Sequence, residues 1–431
     1  MERFDAVVVG GGVSGSTSAA ALARQGLRVL VCEAGLPSDR RLAGELMHPP
    51  AARDLDELGL LEPLRAAGAA PVYGFAIFRS ASDPGTLLSY SEVRGQRSTS
   101  VAIEHAVLTR TLLAAVRERE GVTVWDARVT RVDEGSRESA VVIDRGGVEH
   151  TVRTPLVVLA DGRDSRLRAR SGIDVERGEE LRMIGYRVPG GRLPYPGYGH
   201  VFLGPGGTTL AYQISHDDVR IMFELAPHED VPSLDGLPAT FRADVERAMA
   251  SEVRLAAKVY ALRAFRASRG SVAVVGDAAG CVHPLTASGI AFSTGDSVRL
   301  AREIGRGFEA GRGVPASLAR YDRGRSEAMR TRAALGPALL EALTSDEAAM
   351  RLLRAGLFRT WERSASGRSA SLGLLSTHEP RTTIMAREYA RVCLHAVSAL
   401  KEGVIAPTEI VPAVGGLVRR SARELGRALQ A

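Results

Sequence analysis

The chain is poor in lysine and in cysteine, and each shortage argues against a class of function. Only two of its 56 basic residues are lysines, Lys258 and Lys401, so the net charge of +6 comes from arginines spread along the chain. Because no basic run is interleaved with aromatic residues, we predict no nucleic-acid partner. The three cysteines, Cys32, Cys281 and Cys393, form no CxxC pair. They argue against a cysteine-ligated metal or a redox disulfide and indicate a reducing compartment.

Long apolar runs are also missing. No stretch reaches about 18 uncharged apolar residues, so we predict no transmembrane span. The first predicted strand begins by residue 5 without a charged leader and apolar core before it, so we predict no signal peptide and expect a cytoplasmic protein. With 431 residues, of which 45% are hydrophobic and 25% charged, the chain has room for two or three globular domains.

The most informative stretch covers residues 5–33 and reads as strand, turn, helix and strand. Gly10 permits a tight turn, Gly12 lets the backbone approach a pyrophosphate at the helix N-terminus, and Gly15 lets the helix pack closely on the strand. Glu33 follows the glycines by about 20 residues, where a carboxylate binds the hydroxyls of an unphosphorylated ribose. The stretch therefore predicts a dinucleotide site.

The predicted elements change type after this stretch. A helix is expected from Ala51, and short strand-like runs over 73–79 and 86–91 do not continue the βαβ pattern. Residues 101–170 return to an α/β style. Four alternating runs between 180 and 226 predict an antiparallel meander with one polar and one apolar face, which suits a cover over a pocket.

Helical periodicity is predicted from Leu237 to about Arg266 and again after Ala316. Beyond Pro412 a stripe of apolar residues recurs at helical spacing, with arginines mostly off the stripe. The stripe consists of Val414, Leu417, Val418, Ala422, Leu425 and Leu429. Two interpretations stay open: the stripe packs on the protein, or it lies weakly on an anionic membrane surface. We favour packing on the protein, because the stripe lacks Trp and Phe.

Two later motifs indicate which dinucleotide is bound. The stretch VVLADGRDSRLR places Asp161 at the end of a strand, and VAVVGDAAGCVHPLTASGI places Asp277 at the end of another, with Pro284 and Gly289 ahead of a helix. Asp277 can accept hydrogen bonds from a polyol chain, and the amides at 287–290 form a helix N-terminus aimed at developing negative charge. A reduced flavin needs such donors, because its N1–C2=O region becomes anionic.

In order, the opening motif, Arg110, DGxxSxxR and GDAAxxxxP form a pattern that resembles flavoprotein monooxygenases of the para-hydroxybenzoate hydroxylase type, over roughly residues 3–305. Within this group, RLAGELMHPP (41–50) and GDAAGCVHPLTASGI (276–290) look most like squalene epoxidases and related bacterial epoxidases. That branch usually has three glycines where this chain has Ala287-Ser288-Gly289, and Gln at the position of His48.

Pattern and resemblance together predict an α/β chain, α+β overall: a Rossmann-type FAD-binding domain, an antiparallel-sheet substrate domain and a helical C-terminal region. The predicted FAD-binding domain is discontinuous and covers 1–72, 101–170 and 268–325. The predicted substrate domain covers 73–100 and 171–267, and the C-terminal region covers 326–431.

The resemblance also implies individual cofactor contacts. Glu33 matches the adenosine-ribose ligand, Arg110 the arginine beside the FAD phosphate and ribityl chain, and Asp277 the ribityl ligand. The pyrophosphate turn is implied at Gly10, Gly12, Val13, Ser14 and Gly15. Further implied FAD contacts are Arg41, Val129, Asp161, Gly276, Pro284, Ala287, Ser288, Gly289 and Ile290.

The same resemblance suggests residues near the reaction. Pro284 would face the flavin ring, while His48 either lies at the edge of the ring or caps backbone carbonyls in a loop. Phe75 and Tyr186 are candidate pocket residues, although aromatic residues on strands more often belong to the core. We predict no metal site.

The implied function is that of an FAD-dependent monooxygenase. It would insert one oxygen atom from O2, by epoxidation or hydroxylation, into a bulky apolar isoprenoid, polyketide or aromatic substrate of secondary metabolism. The cofactor carries the difficult step, so no general base is required. NAD(P)H would act as electron donor, directly or through a reductase partner, because the chain has no second GxGxxG. Two alternatives remain: a flavin-dependent reductase or cyclase of the geranylgeranyl reductase type, and a non-catalytic binding protein.

Overall fold

The computed structural model describes residues 2–35, 42–135, 137–204, 207–225, 229–417 and 419–420. The helices, in chain order, are α1 (Val13–Ala23), α2 (Pro49–Glu57), α3 (Leu61–Ala66), α4 (His105–Arg117), α5 (Arg166–Arg170), α6 (Ala239–Ser251), α7 (Gly289–Glu309), α8 (Val314–Thr344), α9 (Ala348–Arg363), α10 (Ala365–Leu375) and α11 (Thr382–Ala399). The strands are β1 (Ala6–Val9), β2 (Val29–Glu33), β3 (Ala70–Val72), β4 (Gly74–Phe78), β5 (Thr86–Ser89), β6 (Ser100–Ala102), β7 (Val122–Asp126), β8 (Arg128–Asp133), β9 (Ser139–Arg145), β10 (Val148–Thr154), β11 (Val157–Leu159), β12 (Val175–Pro189), β13 (Tyr198–Gly204), β14 (Gly207–Gln213), β15 (Asp218–Leu225), β16 (Leu255–Ala264), β17 (Ser268–Arg269), β18 (Val272–Val274) and β19 (Gly280–Cys281).

The chain divides into two compact units. Unit 1 comprises Met1–Ala69, Ile103–Glu180 and Val259–Ser326. Unit 2 comprises Ala70–Ala102, Leu181–Lys258 and Glu327–Ala431. Unit 2 thus contains most of the stretch that the sequence assigned to a substrate sheet, together with the helical C-terminal region.

Unit 1 is built on a six-stranded sheet in the order β17-β18-β11-β1-β2-β7. Strand β1 pairs in parallel with β11 and β2, and β18 and β7 continue the parallel pairing on either side. Every residue of β1, β11 and β18 is apolar and buried, as in parallel sheets that are covered on both faces. Because these strands run the same way, their carboxyl ends meet at one edge of the sheet.

Helices α1 and α7 pack side by side in unit 1 through small residues. Ser18 Oγ donates to Ser297 Oγ at 2.9 Å, and Ser297 Oγ donates to the carbonyl oxygen of Ser14 at 3.0 Å. The short side chains let the helices approach closely, and the buried hydroxyls find partners within the contact. This packing fixes the N-terminus of α7 relative to the first turn of α1.

In unit 2 the strands lie in the order β12-β15-β14-β13-β4-β5. The predicted meander is wrong at its first link, because β12 pairs with β15 rather than with β13. The links β13–β14 and β14–β15 are antiparallel as predicted, and β4 pairs in parallel with β13. Strands β13, β14 and β15 are buried at five consecutive positions each. Both faces of the sheet are therefore covered, and the expected polar face is absent from these strands.

One face of the unit 2 sheet packs against α6. Phe241, Val245 and Ala248 of the helix belong to one buried apolar cluster with strand residues such as Phe202 and Phe223. His200 lies in the same layer, with its ring stacked on Phe78. This cluster is the core of the described part of unit 2 around the sheet.

Two predicted helices differ in the structure. The helix expected over 237–266 ends at Ser251, and Leu255–Ala264 form strand β16, in which Leu262 pairs with Cys281 of β19. Alanine, leucine and arginine favour a helix locally, so strand pairing here overrides local propensity. The helix expected from Ala51 is divided into α2 and α3, because Gly59 between them adopts a φ of 70°.

The described part of the C-terminal stretch packs within unit 2. Residues 410–417 are helical, with Ala413 and Leu417 buried. Arg420 forms ion pairs with Glu341 and with Glu347. The rest of the predicted apolar stripe, Val418, Ala422, Leu425 and Leu429, lies outside the described residues. Among the helices that the structure describes, none is long and apolar enough to cross a membrane.

Candidate functional site

The motifs of unit 1 converge at the carboxyl edge of its parallel sheet. Gly10 follows β1, Glu33 ends β2, Asp161 follows β11 by one residue, and Asp277 lies just beyond β18. These strands are neighbours in the sheet. Ligands of open α/β sheets bind outside the carboxyl ends of the strands. The fold therefore brings together motifs that are separated by up to about 270 residues in the sequence.

The three glycines of the first turn have different surroundings. A Cβ on Gly10, which has a φ of 97°, would lie 2.7 Å from the carbonyl oxygen of Ala160, and a Cβ on Gly15 would lie 1.8 Å from that of Gly10. A Cβ on Gly12 would meet no described atom within 4 Å. Gly10 and Gly15 are thus required by the protein's own packing, whereas the space at Gly12, beside the N-terminus of α1, is open to a ligand.

The Glu33 carboxylate is held in place at the end of β2. Its Oε2 accepts a hydrogen bond from the backbone amide of Gly11 at 2.5 Å, and its Oε1 accepts one from Gly35 at 2.7 Å. A carboxylate oxygen can accept more than one hydrogen bond, so both oxygens keep capacity for ribose hydroxyls. The Ala127 amide donates to the Glu33 carbonyl at 2.9 Å, which brings the start of β8, with the buried Val129, to the same end of the sheet.

For two other predicted FAD contacts, Arg110 and Arg41, the structure gives less information. Arg110 is exposed on α4, three residues before Leu113, whose Cδ1 would lie 2.9 Å from a Cβ on Gly11. Since residues three apart share a helix face, Arg110 lies on the side of α4 that meets the glycine turn. Arg41 lies outside the described residues.

The DGxxSxxR motif ties two loops of the site together. Ser165 Oγ donates to Asp161 Oδ2 at 2.8 Å and accepts from the Arg168 amide at 3.0 Å, which caps α5. The buried Arg168 guanidinium donates from Nη1 to the carbonyl oxygens of Arg163 and Ala278, at 3.0 and 2.9 Å. Burial raises the pKa of Asp161 and lowers that of Arg168. No role was predicted for Arg168 from the sequence, although its place in the motif was the available signal.

Asp277 lies in a short 3-10 turn, Gly276–Ala278, and keeps its carboxylate accessible. Its side chain is 38% exposed, and Arg163 Nη2 approaches Oδ2 at 3.8 Å. Gly276 has a φ of 56°, and a Cβ there would lie 1.9 Å from Ser14 Oγ. This close approach places the loop directly beside the first turn of α1, so an acceptor at Asp277 lies near the position proposed for a pyrophosphate.

A turn at Pro284–Ser288 leads into α7. The Ala287 amide donates to the Pro284 carbonyl at 2.8 Å, and Ala287 has a left-handed φ of 46°. Ser288 precedes the helix without capping it through its side chain, and a Cβ on Gly289 would meet no described atom within 4 Å. The space beside Gly289 is thus open, and the N-terminal amides of a long helix, at Gly289 and Ile290, provide donors for an anionic group.

His48 contacts the same turn. Its ring is fully buried, and Nε2 lies 2.9 Å from the carbonyl oxygen of Thr286. The sequence left two alternatives for His48, capping of a backbone carbonyl or a position at the edge of the flavin ring. The contact with Thr286 is a carbonyl cap. The neighbouring His283 accepts through Nδ1 from the Leu285 amide at 3.2 Å and so stabilises the turn itself.

Phe75 and Tyr186, the two candidate pocket residues, lie on opposite faces of the unit 2 sheet. Tyr186 belongs to the core cluster beneath α6, as do Ala76 and Phe78 of β4. Phe75 precedes Ala76, and successive side chains alternate between faces of a strand. Tyr186 is therefore part of the helix–sheet core, the commoner place for an aromatic residue on a strand, and its role in a pocket stays a prediction.

No role was predicted for Glu45 from the sequence either. Its side chain is 1% exposed, and Oε1 accepts from the His105 amide at 3.3 Å, at the N-terminus of α4. His105 Nδ1 lies 2.9 Å from the Gly44 carbonyl. A glutamate between the apolar residues of the 42–48 segment was the only sign in the sequence that Glu45 has a polar partner.

Among the residues described, no group of three or more His, Cys, Asp or Glu could hold a metal ion.

Comparison with known protein families identifies two regions of the chain. A model of the squalene epoxidase family matches residues 153–410, and a model of an FAD binding domain matches residues 3–188. The chain is 23% identical to a squalene epoxidase of Candida albicans over 92% of this chain and 91% of the relative. It is 29% identical to squalene epoxidase 6 of Arabidopsis thaliana over 69% of this chain and 61% of the relative.

Among solved structures, p-nitrophenol 4-monooxygenase from Pseudomonas putida matches with a TM-score of 0.69. The match covers 91% of this chain and 99% of that one at 19% sequence identity. An identity this low indicates a shared fold. The predicted fold class, with its FAD-binding domain, is confirmed.

Proposed function

The chain belongs to the squalene epoxidase family, and from that premise we propose that it transfers one oxygen atom of O2 to an alkene of a bulky isoprenoid. The protein is an FAD-dependent monooxygenase that acts on an apolar substrate. The observation that carries the proposal is the convergence of Gly12, Glu33, Asp277 and the α7 N-terminus at one edge of the sheet.

The residues at this edge suit FAD by the open space at Gly12 and by the hydrogen-bond acceptors and backbone amides that they provide. The open space at Gly12 fits a pyrophosphate at the N-terminus of α1. Glu33 offers carboxylate oxygens to the ribose, and the accessible Asp277 offers them to the ribityl chain. FAD, when bound, supplies the oxygen-activating chemistry.

The N-terminus of α7 contributes the electrostatic part of the site. The amides of Gly289 and Ile290 begin a helix of 21 residues, and the positive end of its dipole favours negative charge. We propose that these amides donate to the flavin region that becomes anionic on reduction. Because the donors are fixed by the fold, they need no reorganisation when the charge appears.

The unit 2 sheet supports an apolar substrate. On the face opposite α6, the row Ile77, Val201, Leu210 and Met222 runs across four paired strands. All four side chains are buried. We propose Phe75, on the same face, as a residue that contacts the substrate. An apolar side chain recognises a ligand by shape and by removal of apolar surface from water.

The electron donor and the location follow as further proposals. We propose that NAD(P)H reduces the flavin, either directly or through a reductase partner. We also propose a cytoplasmic location, which the three free cysteines support.

An oxygen-isotope experiment tests the function. The purified protein is supplied with NAD(P)H, a flavin reductase and a panel of isoprenoid alkenes under ¹⁸O2, and the products are analysed by mass spectrometry. We expect a product that is heavier by one ¹⁸O atom. A Gly12→Val variant prepared in parallel serves as the cofactor-deficient control.

Other outcomes would contradict the proposal. Turnover that continues unchanged without O2 would show a reductase or cyclase. Label that enters from H2¹⁸O instead of O2 would exclude oxygen transfer. Binding of the alkenes without turnover, in a protein that holds FAD and is reduced, would show a non-catalytic binding protein.

A further inference from the structure

We propose that His48 is a positioning residue: by donating from Nε2 to the Thr286 carbonyl, it fixes the turn that aims the α7 amides at the flavin. The proposal rests on the FAD site proposed above. It gives His48 a role in tuning the bound cofactor rather than in contacting the reacting atoms.

The first observation is the hydrogen bond itself. His48 Nε2 lies 2.9 Å from the Thr286 carbonyl oxygen, and the His48 side chain is 0% exposed. Since a carbonyl oxygen can only accept, Nε2 carries the proton and donates it. The contact is shut off from water, so solvent cannot readily replace the donor if the side chain is removed.

The second observation is that the helix does not use the Thr286 carbonyl. The first hydrogen bond from an α7 amide to a carbonyl before the helix is donated by Phe292 to Ser288. Ser288 lies two residues after Thr286. The Thr286 side chain is held separately, because Oγ1 donates to the His283 carbonyl at 3.1 Å and lies 2.7 Å from Ser288 Oγ. His48 therefore anchors the backbone of this residue while the turn anchors its side chain.

The third observation is the backbone conformation that follows. Ala287 adopts a φ of 46°, a left-handed conformation that residues with a Cβ rarely adopt. A strained residue persists only where its surroundings hold it in place. The bond from His48 to Thr286, next to Ala287 in the chain, is one of the contacts that hold it.

The fourth observation is that hydrogen bonds to two helices fix the position of the segment that carries His48. Its carbonyl accepts the Ala51 amide at 2.9 Å at the start of α2. Upstream, the 44–48 segment is fastened to α4 by two contacts, from His105 Nδ1 to the Gly44 carbonyl at 2.9 Å and from the His105 amide to Glu45 Oε1 at 3.3 Å. The donor is thus held by two helices and does not follow the turn if the turn moves.

These contacts predict an effect on the redox state of the flavin. If the bond is lost, the turn relaxes and the amides of Gly289 and Ile290 lose their fixed direction. The reduced flavin carries the negative charge, so it loses more stabilisation than the oxidised flavin. Loss of a structural contact alone would weaken both redox states equally.

The test compares His48→Phe, which keeps a ring and removes the donor, with His48→Gln, which keeps an amide donor of similar reach. For each variant and the wild type, the FAD dissociation constant and the two-electron midpoint potential of bound FAD are measured. We expect His48→Phe to bind reduced FAD about tenfold less tightly relative to oxidised FAD, which lowers the midpoint potential by about 30 mV. His48→Gln should restore the wild-type potential.

A control and a second variant keep the test decisive. His150→Phe, on β10, which pairs antiparallel with β9 in unit 1, should leave the potential unchanged. If His48→Phe does not fold, His48→Asn replaces it, because its amide is too short to reach the same carbonyl and should lower the potential likewise.

The proposal is overturned by an unchanged potential in the donor-free variant, by equal weakening of both redox states, or by failure of His48→Gln to restore the potential. Each of these results leaves the proposed function intact as long as the wild type binds FAD. A wild type without FAD would instead refute the proposed function.

Discussion

The two largest sheets of the described structure differ in which residues would recognise a ligand. In the six-stranded sheet of unit 1 the strands β1, β11 and β18 are uniformly apolar. The groups that would meet a ligand lie at or just past strand ends, at Gly12, Glu33 and Asp277. In unit 2 the strands themselves carry large apolar side chains on both faces. A dinucleotide is recognised by backbone geometry and by a few carboxylates at set positions. An apolar substrate is recognised by a surface to which many interchangeable side chains contribute.

The largest expected effect comes from Gly15, which unit 1 needs for its own packing. In Gly15→Ala the new Cβ would lie 1.8 Å from the Gly10 carbonyl oxygen, so α1 must move away from the turn. We expect a loss of about 3 kcal/mol or more in the free energy of unfolding of the apoprotein, measured with urea. Gly295→Ala on α7, where a Cβ meets no described atom within 4 Å, is the matched control. A Gly15→Ala protein as stable as that control would show that the fold has room for a methyl group between α1 and the Gly10 carbonyl.

Gly12→Val should weaken FAD binding without changing the stability of the apoprotein. Gly12 has a φ of −69°, which any residue adopts, and a Cβ there meets open space. We therefore expect the melting temperature of the apoprotein to change little. The valine would occupy the pyrophosphate space, so FAD should bind about 100-fold less tightly, or about 2.7 kcal/mol, by fluorescence titration. Full FAD affinity in this variant would mean that the pyrophosphate binds elsewhere.

Asp277→Ala should weaken FAD binding by about 1.5–3 kcal/mol, because it removes charge-assisted hydrogen bonds to the ribityl chain. The same titration measures the effect. Asp164→Asn is a suitable control, since Asp164 accepts from Tyr260 at 2.5 Å in the same unit but is not assigned to the cofactor. Equal losses in the two variants would argue against a specific role for Asp277.

His200 provides the corresponding test in unit 2, where a polar side chain lies inside the apolar core. Burial lowers the pKa of His200 from 6.5 to about 4, so the unfolded chain binds the proton more readily than the folded one. Stability is therefore lost as the pH falls from about 6.5 towards 4. Between pH 7 and pH 5 the loss from this group should be about 2 kcal/mol.

The measurement is urea unfolding at both pH values for the wild type and for His200→Phe. The variant lacks the titrating group, so its stability should fall less between pH 7 and pH 5, whatever its absolute stability. Identical pH dependence in both proteins would show that His200 is not kept neutral by the fold.

The smallest effect is expected at Ala287. Glycine relieves the left-handed strain at a φ of 46° but adds freedom to the unfolded chain, so Ala287→Gly should stabilise the apoprotein by about 0.5 kcal/mol. Differential scanning calorimetry should show a slightly raised melting temperature. Ala291→Gly, within α7, should lower it instead, because glycine is unfavourable inside a helix. A fall in both variants would contradict the strain at Ala287.

The sequence predicted what depends on backbone rules and missed what depends on tertiary packing. The glycine turn with Glu33, and the strand ends at Asp161 and Asp277, were foreseen because their spacing is tied to a nucleotide-binding turn. The strand at 255–264 was missed, since its alanines and leucines favour a helix and only tertiary pairing, such as that with β19, makes it a strand. Arg168 and Glu45 connect separate loops. Arg168 donates to the Ala278 carbonyl and Glu45 accepts from the His105 amide, and each pair is 60 or more residues apart in the sequence. A motif position for Arg168 and a lone glutamate among apolar residues for Glu45 marked these residues, but neither pattern shows which groups they contact.

The position of Tyr186 shows the same limit. Its strand was predicted, but which face of the strand meets a helix depends on where α6 packs, more than 50 residues later. The sequence alone therefore left both faces open as candidates for a pocket.

The most direct test of the central claim is the identity of the cofactor that the carboxyl edge of the unit 1 sheet holds. The purified protein is denatured with acid, and the released cofactor is identified and quantified by chromatography. We predict about one equivalent of free FAD per chain from the wild type and almost none from Gly12→Val. Release of nicotinamide nucleotide alone, or equal FAD from both proteins, would contradict the account.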